Sequence, residues 1–336
     1  MRVLVVGATG YLGHAVVRRL VAAGHEVTAL SRSGRSDVGA GVVGDVLMPG
    51  LGLAPDDRVR LTGVAGIVSC FGSVGMAADP AEVVNVHLTG TRNVLDFARG
   101  CTELRRLVHV SSVLALGRAR GALGNRDLSR GQTFRNWYEY AKYRAELVIR
   151  RERALPVTVL RLGTLFGAAP ARLIPRHGGP VAVLPHVLSG LPVLLERRGD
   201  YPVYATDIAA SAAVVERLLT DDGPSSTYTY FDPDLPTMAQ VLDELCRPWN
   251  VMPKLVDTGG LSRVLQRGLA RRFGVDPEVV DYARPLFDFE PDILDALPGG
   301  PAPSTPDYLA ATGRSLVHAG MVATAARERG AVRVDS

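Results

Sequence analysis

Over residues 1–165 the chain alternates short apolar runs with longer amphipathic ones. Val3–Val6, Glu26–Leu30, Gly66–Cys70, Leu107–Val110 and Val157–Leu162 are brief and rich in branched apolar residues, so they read as strands buried on both faces. Between them Tyr11–Ala23, Val83–Arg99 and Trp137–Arg150 carry helical spacing. In the second of these, Val84, Leu88, Val94, Leu95 and Ala98 mark the apolar face. Strand–helix alternation predicts an α/β fold: a doubly wound parallel sheet with helices on both faces, right-handed crossovers, and ligands at the carboxyl ends of the strands.

The pattern loosens past Phe166. Gly178-Gly179-Pro180 and Leu184-Pro185 punctuate a variable stretch before Tyr201–Tyr204 and Ile208–Leu219 restore a strand and a helix. Gly223-Pro224 marks a boundary, Thr237 to Gln240 forms a capping box opening a helix towards Leu245, and Thr305-Pro306-Asp307 reads as another helix start. The expected organisation is a sheet domain over 1–165, an insertion over 166–200, a returning strand and helix over 201–223, and a smaller, mostly helical region over 224–336 with a frayed tail from Glu328.

Composition narrows the function classes. The 336 residues are 47% hydrophobic and 21% charged, with a formal net charge of +4. Basic pairs such as Arg18-Arg19, Arg150-Arg151, Arg197-Arg198 and Arg271-Arg272 are scattered without interleaved aromatics, which argues against nucleic acid as a partner and reads as solvated helix faces. Cys70, Cys101 and Cys246 lie far apart and show neither disulfide nor zinc spacing, so no metal is expected. The apolar opening runs straight into a glycine turn, unlike a signal peptide, and no apolar stretch reaches the length of a membrane span. The expected location is cytoplasmic.

Directly after the first strand comes GATGYLG: Gly7, Thr9, Gly10, Tyr11, Leu12 and Gly13 occupy the turn and the first helical positions. A strand leading through such a turn into a helix is a Rossmann-type site, where backbone must approach a pyrophosphate closely and the helix amino terminus faces the anion. The second strand ends in Leu30-Ser31-Arg32-Ser33, without the acid that would accept from a ribose 2′-hydroxyl. Arg32, assisted by Arg35, suits a 2′-phosphate, and the expected cofactor is NADP(H); the alternative is a solvated loop arginine. Asp45 and Val46, in Gly44-Asp45-Val46, could meet the adenine, with an ordinary turn aspartate as the alternative.

Tyr138 and Lys142 stand four apart on a predicted helix and therefore share a face. A nearby ammonium lowers a phenol's pKa and makes proton exchange with a carbonyl oxygen feasible. Of 38 basic residues 36 are arginines, so a lysine kept at this spacing carries weight. Upstream, Val108–Ser112 ends a strand at the sheet's carboxyl edge, and Ser112 can bond the same oxygen, with Ser111 satisfying neighbouring groups instead. Asn85 could hold a water or a carbonyl in place, or serve structure alone.

These motifs together resemble the extended short-chain dehydrogenase/reductase family over roughly residues 1–230: GATGYLG, Gly44–Val46, VNVHLTGT at Val84–Thr91, VHVSS at Val108–Ser112, Tyr138–Lys142, LRLGTLFG at Leu160–Gly167, and Asp207 in YATDIA. The resemblance implies an Asn–Ser–Tyr–Lys set on Asn85, Ser112, Tyr138 and Lys142, with Lys142 also bonding the nicotinamide ribose. It implies hydride transfer at the ring's C4, and cofactor contacts from Cys70, Phe71, Gly72, Leu162 and Gly163. Members often dimerise through the helix carrying the tyrosine and lysine, so a homodimer is among the expectations.

Departures shift the reading towards apolar substrates. Leu162 stands where many members have proline or tyrosine, Cys70-Phe71-Gly72 replaces an alanine-rich stretch, and Val113–Leu116 is wholly apolar where sugar-nucleotide dehydratases carry Thr-Asp-Glu. Thr164 replaces an asparagine usual in sugar-nucleotide members. The chain is more similar to dihydroflavonol reductases, 3β-hydroxysteroid dehydrogenases or fatty-acyl-type reductases, the last also through Phe287–His318. The expected activity is interconversion of a ketone or aldehyde and an alcohol on a moderately sized apolar molecule. Leu173, Ile174, Val181, Val183, Leu184, Val187, Leu188 and 191–195 are either its lining or ordinary core. The alternatives are an epimerase or dehydratase that retains its nucleotide, and a non-catalytic dinucleotide-binding module.

Overall fold

A computed structural model describes residues 1–72, 79–175, 179–272 and 277–318. The first half runs β1 (Arg2–Val6), α1 (Tyr11–Ala22), β2 (Glu26–Ser31), β3 (Ala40–Val43), α2 (Pro55–Leu61), β4 (Gly66–Ser69), α3 (Pro80–Arg99), β5 (Arg106–Ser112), β6 (Ala122–Leu123) and α4 (Trp137–Arg151). There follow β7 (Val157–Leu162), β8 (Thr164–Phe166), α5 (Leu184–Leu188), β9 (Val193–Leu195), β10 (Ala205–Asp207), α6 (Ile208–Thr220) and β11 (Thr227–Tyr230). The chain continues through α7 (Met238–Cys246), β12 (Leu255–Asp257), α8 (Arg263–Arg272), β13 (Asp288–Phe289) and α9 (Tyr308–His318). The expected punctuation at Gly178 and the tail from Glu328 lie outside the described residues.

Two compact units divide these elements. The first comprises Met1–Gly163, Ile208–Phe231 and Phe287–Pro303, and the second Thr164–Asp207, Asp232–Leu286 and Ser304–Ser336. In the first, seven strands pair in the order β11-β7-β5-β4-β1-β2-β3, all parallel. This is the Rossmann arrangement the sequence predicts. Val3 to Val6 of β1 and every residue of β5 and β7 are buried, as strands covered by helices on both faces must be. The chain leaves β1 towards β2 on one side and later returns to β4 on the other, so the turns after β1 and β4 face a crevice where the strand order reverses.

Local chemistry fixes the helices that frame this edge. α1 ends where Gly24 takes φ +79, a conformation glycine enters without strain. At α3, the Asp79 side chain accepts from the Ala81 amide at 2.8 Å and Pro80 fills the first turn. α4 is capped by Asn136, which accepts from Glu139 N at 3.1 Å. Arg106, buried in β5, bonds Thr158 Oγ1 at 3.1 Å and the Asp221 carbonyl at 2.7 Å.

The second unit holds two small parallel pairs, β8 with β10 and β9 with β12, and helices α5, α7, α8 and α9. The capping box of α7 forms as expected, with Gln240 N on Thr237 Oγ1 at 3.2 Å and Thr237 N on Gln240 Oε1 at 2.8 Å. The strand expected at Tyr201–Tyr204 instead begins at Ala205. Pro202 bridges Thr237, and Val203 N is spent on the Pro236 carbonyl, so those residues pair elsewhere before the chain turns onto β8. The helix expected from Thr305 starts at Tyr308: Asp307 has φ +55 and Thr305 N is held by Asp207 Oδ2 at 2.6 Å. Ile174, Val181, Val183, Leu184, Val187, Leu188, Val193 and Leu195 are buried in this unit as core. Leu173, Leu191, Pro192 and Leu194 are half-buried.

Candidate active site

The glycine turn lies at the carboxyl end of β1. Gly7 has φ +89, and a Cβ there would stand 2.6 Å from Phe71 N on the neighbouring turn after β4. At Gly13 a Cβ would stand 2.1 Å from the Gly7 carbonyl oxygen, so α1 packs against its strand closer than any side chain permits. α1 begins at Tyr11 with no side-chain cap on its amino terminus and no acid in its first turn. Its positive end is therefore left to an anion from elsewhere, the environment a dinucleotide pyrophosphate needs. Thr9 and Gly10 are exposed at this turn, while Tyr11 and Leu12 are buried beneath it.

Gly13→Ala tests this directly. The methyl group would collide with backbone that cannot rotate away, which is expected to cost about 1–3 kcal/mol of stability and to weaken dinucleotide binding. Thermal unfolding with nucleotide titration measures both; unchanged binding would contradict the tight-turn assignment.

After β2, Ser31 is buried and its hydroxyl is engaged within the turn, to the Arg35 carbonyl at 3.3 Å and near Ser33 Oγ at 3.5 Å. Arg32 is exposed and has no ion-pair partner among the described residues. Asp45 is half-buried, and its Oδ1 accepts from Leu47 N at 2.9 Å, so one oxygen already serves the turn. Asn93 on α3 fixes the Val46 carbonyl at 2.7 Å. Gly90 lets the Phe71 ring lie against α3, because a Cβ there would stand 2.6 Å from that ring and 3.3 Å from Val46. Val46, Phe71 and α3 thus form one wall beside the glycine turn.

The carboxyl end of β5 gathers Ser112, Tyr138 and Lys142. Tyr138 is hydrogen-bonded to Ser112, whose Oγ also accepts from Leu114 N at 3.2 Å. Lys142, one turn further along α4, is buried and donates from Nζ to the Val110 carbonyl at 3.2 Å. Leu162 lies beside Ser112 on β7, and Gly163 N continues the sheet to the Tyr230 carbonyl at 3.1 Å. Ser111 turns to the other face and donates to Glu146 Oε1 at 2.5 Å, leaving Ser112 as the serine that meets the tyrosine.

Burial pushes the Tyr138 phenol up to about 12; the Ser112 bond opposes this, and the Glu139 carboxylate adds to it. Burial pulls the Lys142 ammonium down to about 8, against the attraction of Glu146 and of Cys70. His109 is driven well below the usual imidazole range by burial, by Lys142 and by His87, and so is neutral at physiological pH. Burial pushes the Cys70 thiol up to about 12, against Lys142, so it is held as a thiol. The site presents a protonated phenol, a hydroxyl and a buried cation along one edge of the sheet.

Asn85 does not join them. It lies exposed on α3, and its Oδ1 accepts from Thr89 Oγ1 at 2.6 Å. Two positions along a helix rotate a side chain by more than half a turn, and His87 is the residue that faces inward. Its ring is buried and meets Tyr138 edge to face, with centroids 5.6 Å apart and planes at 76°. Gly72 makes the room, because a Cβ there would stand 2.7 Å from His87 Cε1. His87 escaped the sequence reading; the small residues Gly90 and Thr91 on the same buried face were the available signal.

With this geometry in view, residues 3–200 match the model of the NAD dependent epimerase/dehydratase family. The chain belongs to that family. Its relatives include proteins named as reductases. It is 29% identical to 2-alkyl-3-oxoalkanoate reductase of Stenotrophomonas maltophilia (strain K279a), over 52% of this chain and 54% of that protein. It is 36% identical to 4-hydroxy-2-methyl-3-oxo-4-farnesyl-3,4-dihydroquinoline-1-oxide ketoreductase of Stigmatella aurantiaca, over 35% of this chain and 36% of that protein. The match thus spans about half the length of the first relative and about a third of the second. In fold, the chain is similar to the terminal R domain from the myxalamid PKS-NRPS biosynthetic pathway, with a TM-score of 0.75 at 21% identity, covering 95% of this chain and 91% of that one. Among the described residues no helix is long and apolar enough to cross a membrane.

Proposed function

We propose that the protein is an NADPH-dependent reductase that converts a ketone or aldehyde on a moderately sized apolar molecule to an alcohol, the reverse oxidation using the same residues. The observation that carries this reading is the hydrogen bond between Tyr138 and Ser112 at the carboxyl edge of β5, one helical turn from a buried lysine. The names of the reductase relatives, an alkyl oxoalkanoate in one and a farnesylated oxo compound in the other, support a carbonyl on an apolar skeleton.

Gly7, Gly10, Gly13 and the start of α1 would hold the dinucleotide's diphosphate, Arg32 the 2′-phosphate, Val46 and Phe71 the adenine side, and Lys142 the nicotinamide ribose. When bound, the cofactor supplies hydride. Tyr138 donates its proton from Oη to the carbonyl oxygen, and Ser112 orients and polarises that oxygen, both acting on charge that develops as the reaction proceeds. Because the phenol is held up at about 12, it is protonated at neutral pH, the state that reduction requires. His87 supports the tyrosine ring from the side.

Titration of the purified protein with NADPH and NADH tests the reading. NADPH is expected to bind more tightly, and Arg32→Ala to lose about tenfold or more of that affinity, as a charge-assisted bond is removed. A screen of apolar ketones and aldehydes follows, with Tyr138→Phe as the inactive control. Binding of neither nucleotide would overturn the enzymatic reading in favour of a non-catalytic module, and a preference for NADH would overturn the assignment of Arg32.

A further inference from the structure

Among the described residues, large apolar side chains left exposed are concentrated in one stretch of the chain. Of nine among the described residues, five (Met252, Val256, Leu261, Val264 and Leu265) fall within residues 252–265 of the second unit. Met252 and Val264 are 86% and 81% exposed, and Leu265 57%. Single exposed apolar residues are ordinary on protein surfaces, whereas a run of them marks a contact surface.

The local structure makes the exposure systematic. Met252, Lys254 and Val256 alternate with less exposed neighbours, leading into and along β12, whose residues pair with β9. α8 then packs with its polarity reversed: Gln266 and Ala270, one turn apart, are the buried residues, while Val264 and Leu265 face outward. Gln266 is retained inside by a bond from Nε2 to the Leu261 carbonyl at 3.1 Å. Gly268 on the same helix has no atoms near where a Cβ would sit, so the outer side of the helix is open.

Charge completes the pattern. Arg263 and Arg267 both reach the buried Asp281, at 3.8 and 2.7 Å. Arg271 and Arg272, at the end of the helix, are exposed and have no ion-pair partner among the described residues, and Lys254 is exposed beside Met252. Asp257, whose Oδ1 accepts from the amides of Arg197 and Gly259, is the one acid in this stretch, against Lys254, Arg263, Arg267, Arg271 and Arg272. Protruding apolar side chains beside uncompensated cations match the boundary between acyl chains and anionic headgroups.

We propose that residues 252–272 form a peripheral docking element for an anionic phospholipid surface, with Met252, Val256, Leu261, Val264 and Leu265 entering the acyl boundary and Lys254, Arg271 and Arg272 meeting the headgroups. The contact lies on the surface and involves no span. It is independent of the catalytic reading, since none of these residues belongs to the site on β5 and α4.

Co-sedimentation of the full chain with vesicles tests it, using phosphatidylcholine alone and phosphatidylcholine with about 30% phosphatidylglycerol. The protein is expected to pellet with the anionic vesicles and to be released by salt. Arg271→Ala with Arg272→Ala should weaken binding about 30-fold, roughly fivefold per arginine. Val264→Glu with Leu265→Glu should abolish it, while leaving nucleotide binding unchanged and thermal unfolding little changed, because Val264 is largely and Leu265 mostly exposed. A wild-type protein that stays in the supernatant with anionic vesicles, or variants that pellet as well as wild type, would overturn the proposal. So would a concentration-dependent dimer dissolved by Val264→Glu and Leu265→Glu, which would assign the patch to a second copy of the chain.

Discussion

Replacing Lys142 by methionine is expected to abolish turnover and yet make the cofactor-free protein more stable at neutral pH. The first effect follows from the proposed chemistry: Lys142 would hold the nicotinamide ribose and favour the phenolate left when Tyr138 gives up its proton, and loss of support for proton transfer typically costs about 10²- to 10⁴-fold in rate. The second follows from burial. The ammonium is held at about 8, against 10.5 for a free lysine, so folding at pH 7 confines a cation that the unfolded chain would keep in water. A shift of that size corresponds to about 3 kcal/mol. Losing the bond to the Val110 carbonyl returns about 1 kcal/mol of it. A net gain of about 1–3 kcal/mol is expected at pH 7.

The gain fades with pH, and near pH 10 the lost bond to the Val110 carbonyl leaves the variant level with the wild type or slightly less stable. Between the folded value of about 8 and the unfolded value near 10.5, the unfolded chain binds the additional proton, so rising pH stabilises the wild type and erases the variant's advantage. Thermal unfolding of both proteins at pH 7 and near pH 10 measures this. A variant less stable at pH 7 would show that Lys142 contributes more through its contacts than burial of its charge costs. Wild-type turnover, if Lys142 must be charged, should fall as pH rises through about 8.

Glu146→Ala is expected to have the largest effect on folding. Arg161 is fully buried on β7, and Glu146 holds it through two near-parallel bonds, Nε to Oε1 at 3.0 Å and Nη2 to Oε2 at 2.6 Å. Ser111 adds a third bond to the same carboxylate at 2.5 Å. Removing the carboxylate strands a guanidinium where water cannot reach it, a loss of about 3–5 kcal/mol from a total stability of about 5–15 kcal/mol. Replacing both partners, Glu146→Leu with Arg161→Met, should recover most of that loss, because apolar groups of similar size need no partner. Denaturant unfolding of the single and double variants decides it; a single variant within about 1 kcal/mol of wild type would show that the pair contributes little.

The residues legible in the sequence were those whose signals are local. The glycine turn and the tyrosine–lysine spacing each require particular residues within a few positions, and the Thr237–Gln240 box closes on itself. The apolar face assigned to α3 was partly out of phase: Val84 and Leu88 are half-buried, and the buried face carries Val83, His87, Gly90 and Thr91. Hydropathy does not flag a histidine, a glycine and a threonine as core, so the apolar face reads partly out of phase and His87 goes unnoticed. The Glu146–Arg161 pair was invisible for a related reason, since two charged residues on different elements carry no sign that folding will bury them together. β3, with only Val42 buried among its four residues, offered too faint an alternation to register.

On α4 the same helix that offers Tyr138 and Lys142 to β5 is pinned, one turn beyond, by Glu146. Sliding the helix by a single residue would move it about 1.5 Å and tear that grip before the phenol could settle against a different partner. Aim and anchorage are therefore inherited as one piece. Changes in the loops and surfaces outside this strand and helix can therefore leave the position of the Tyr138 phenol against Ser112 unaltered.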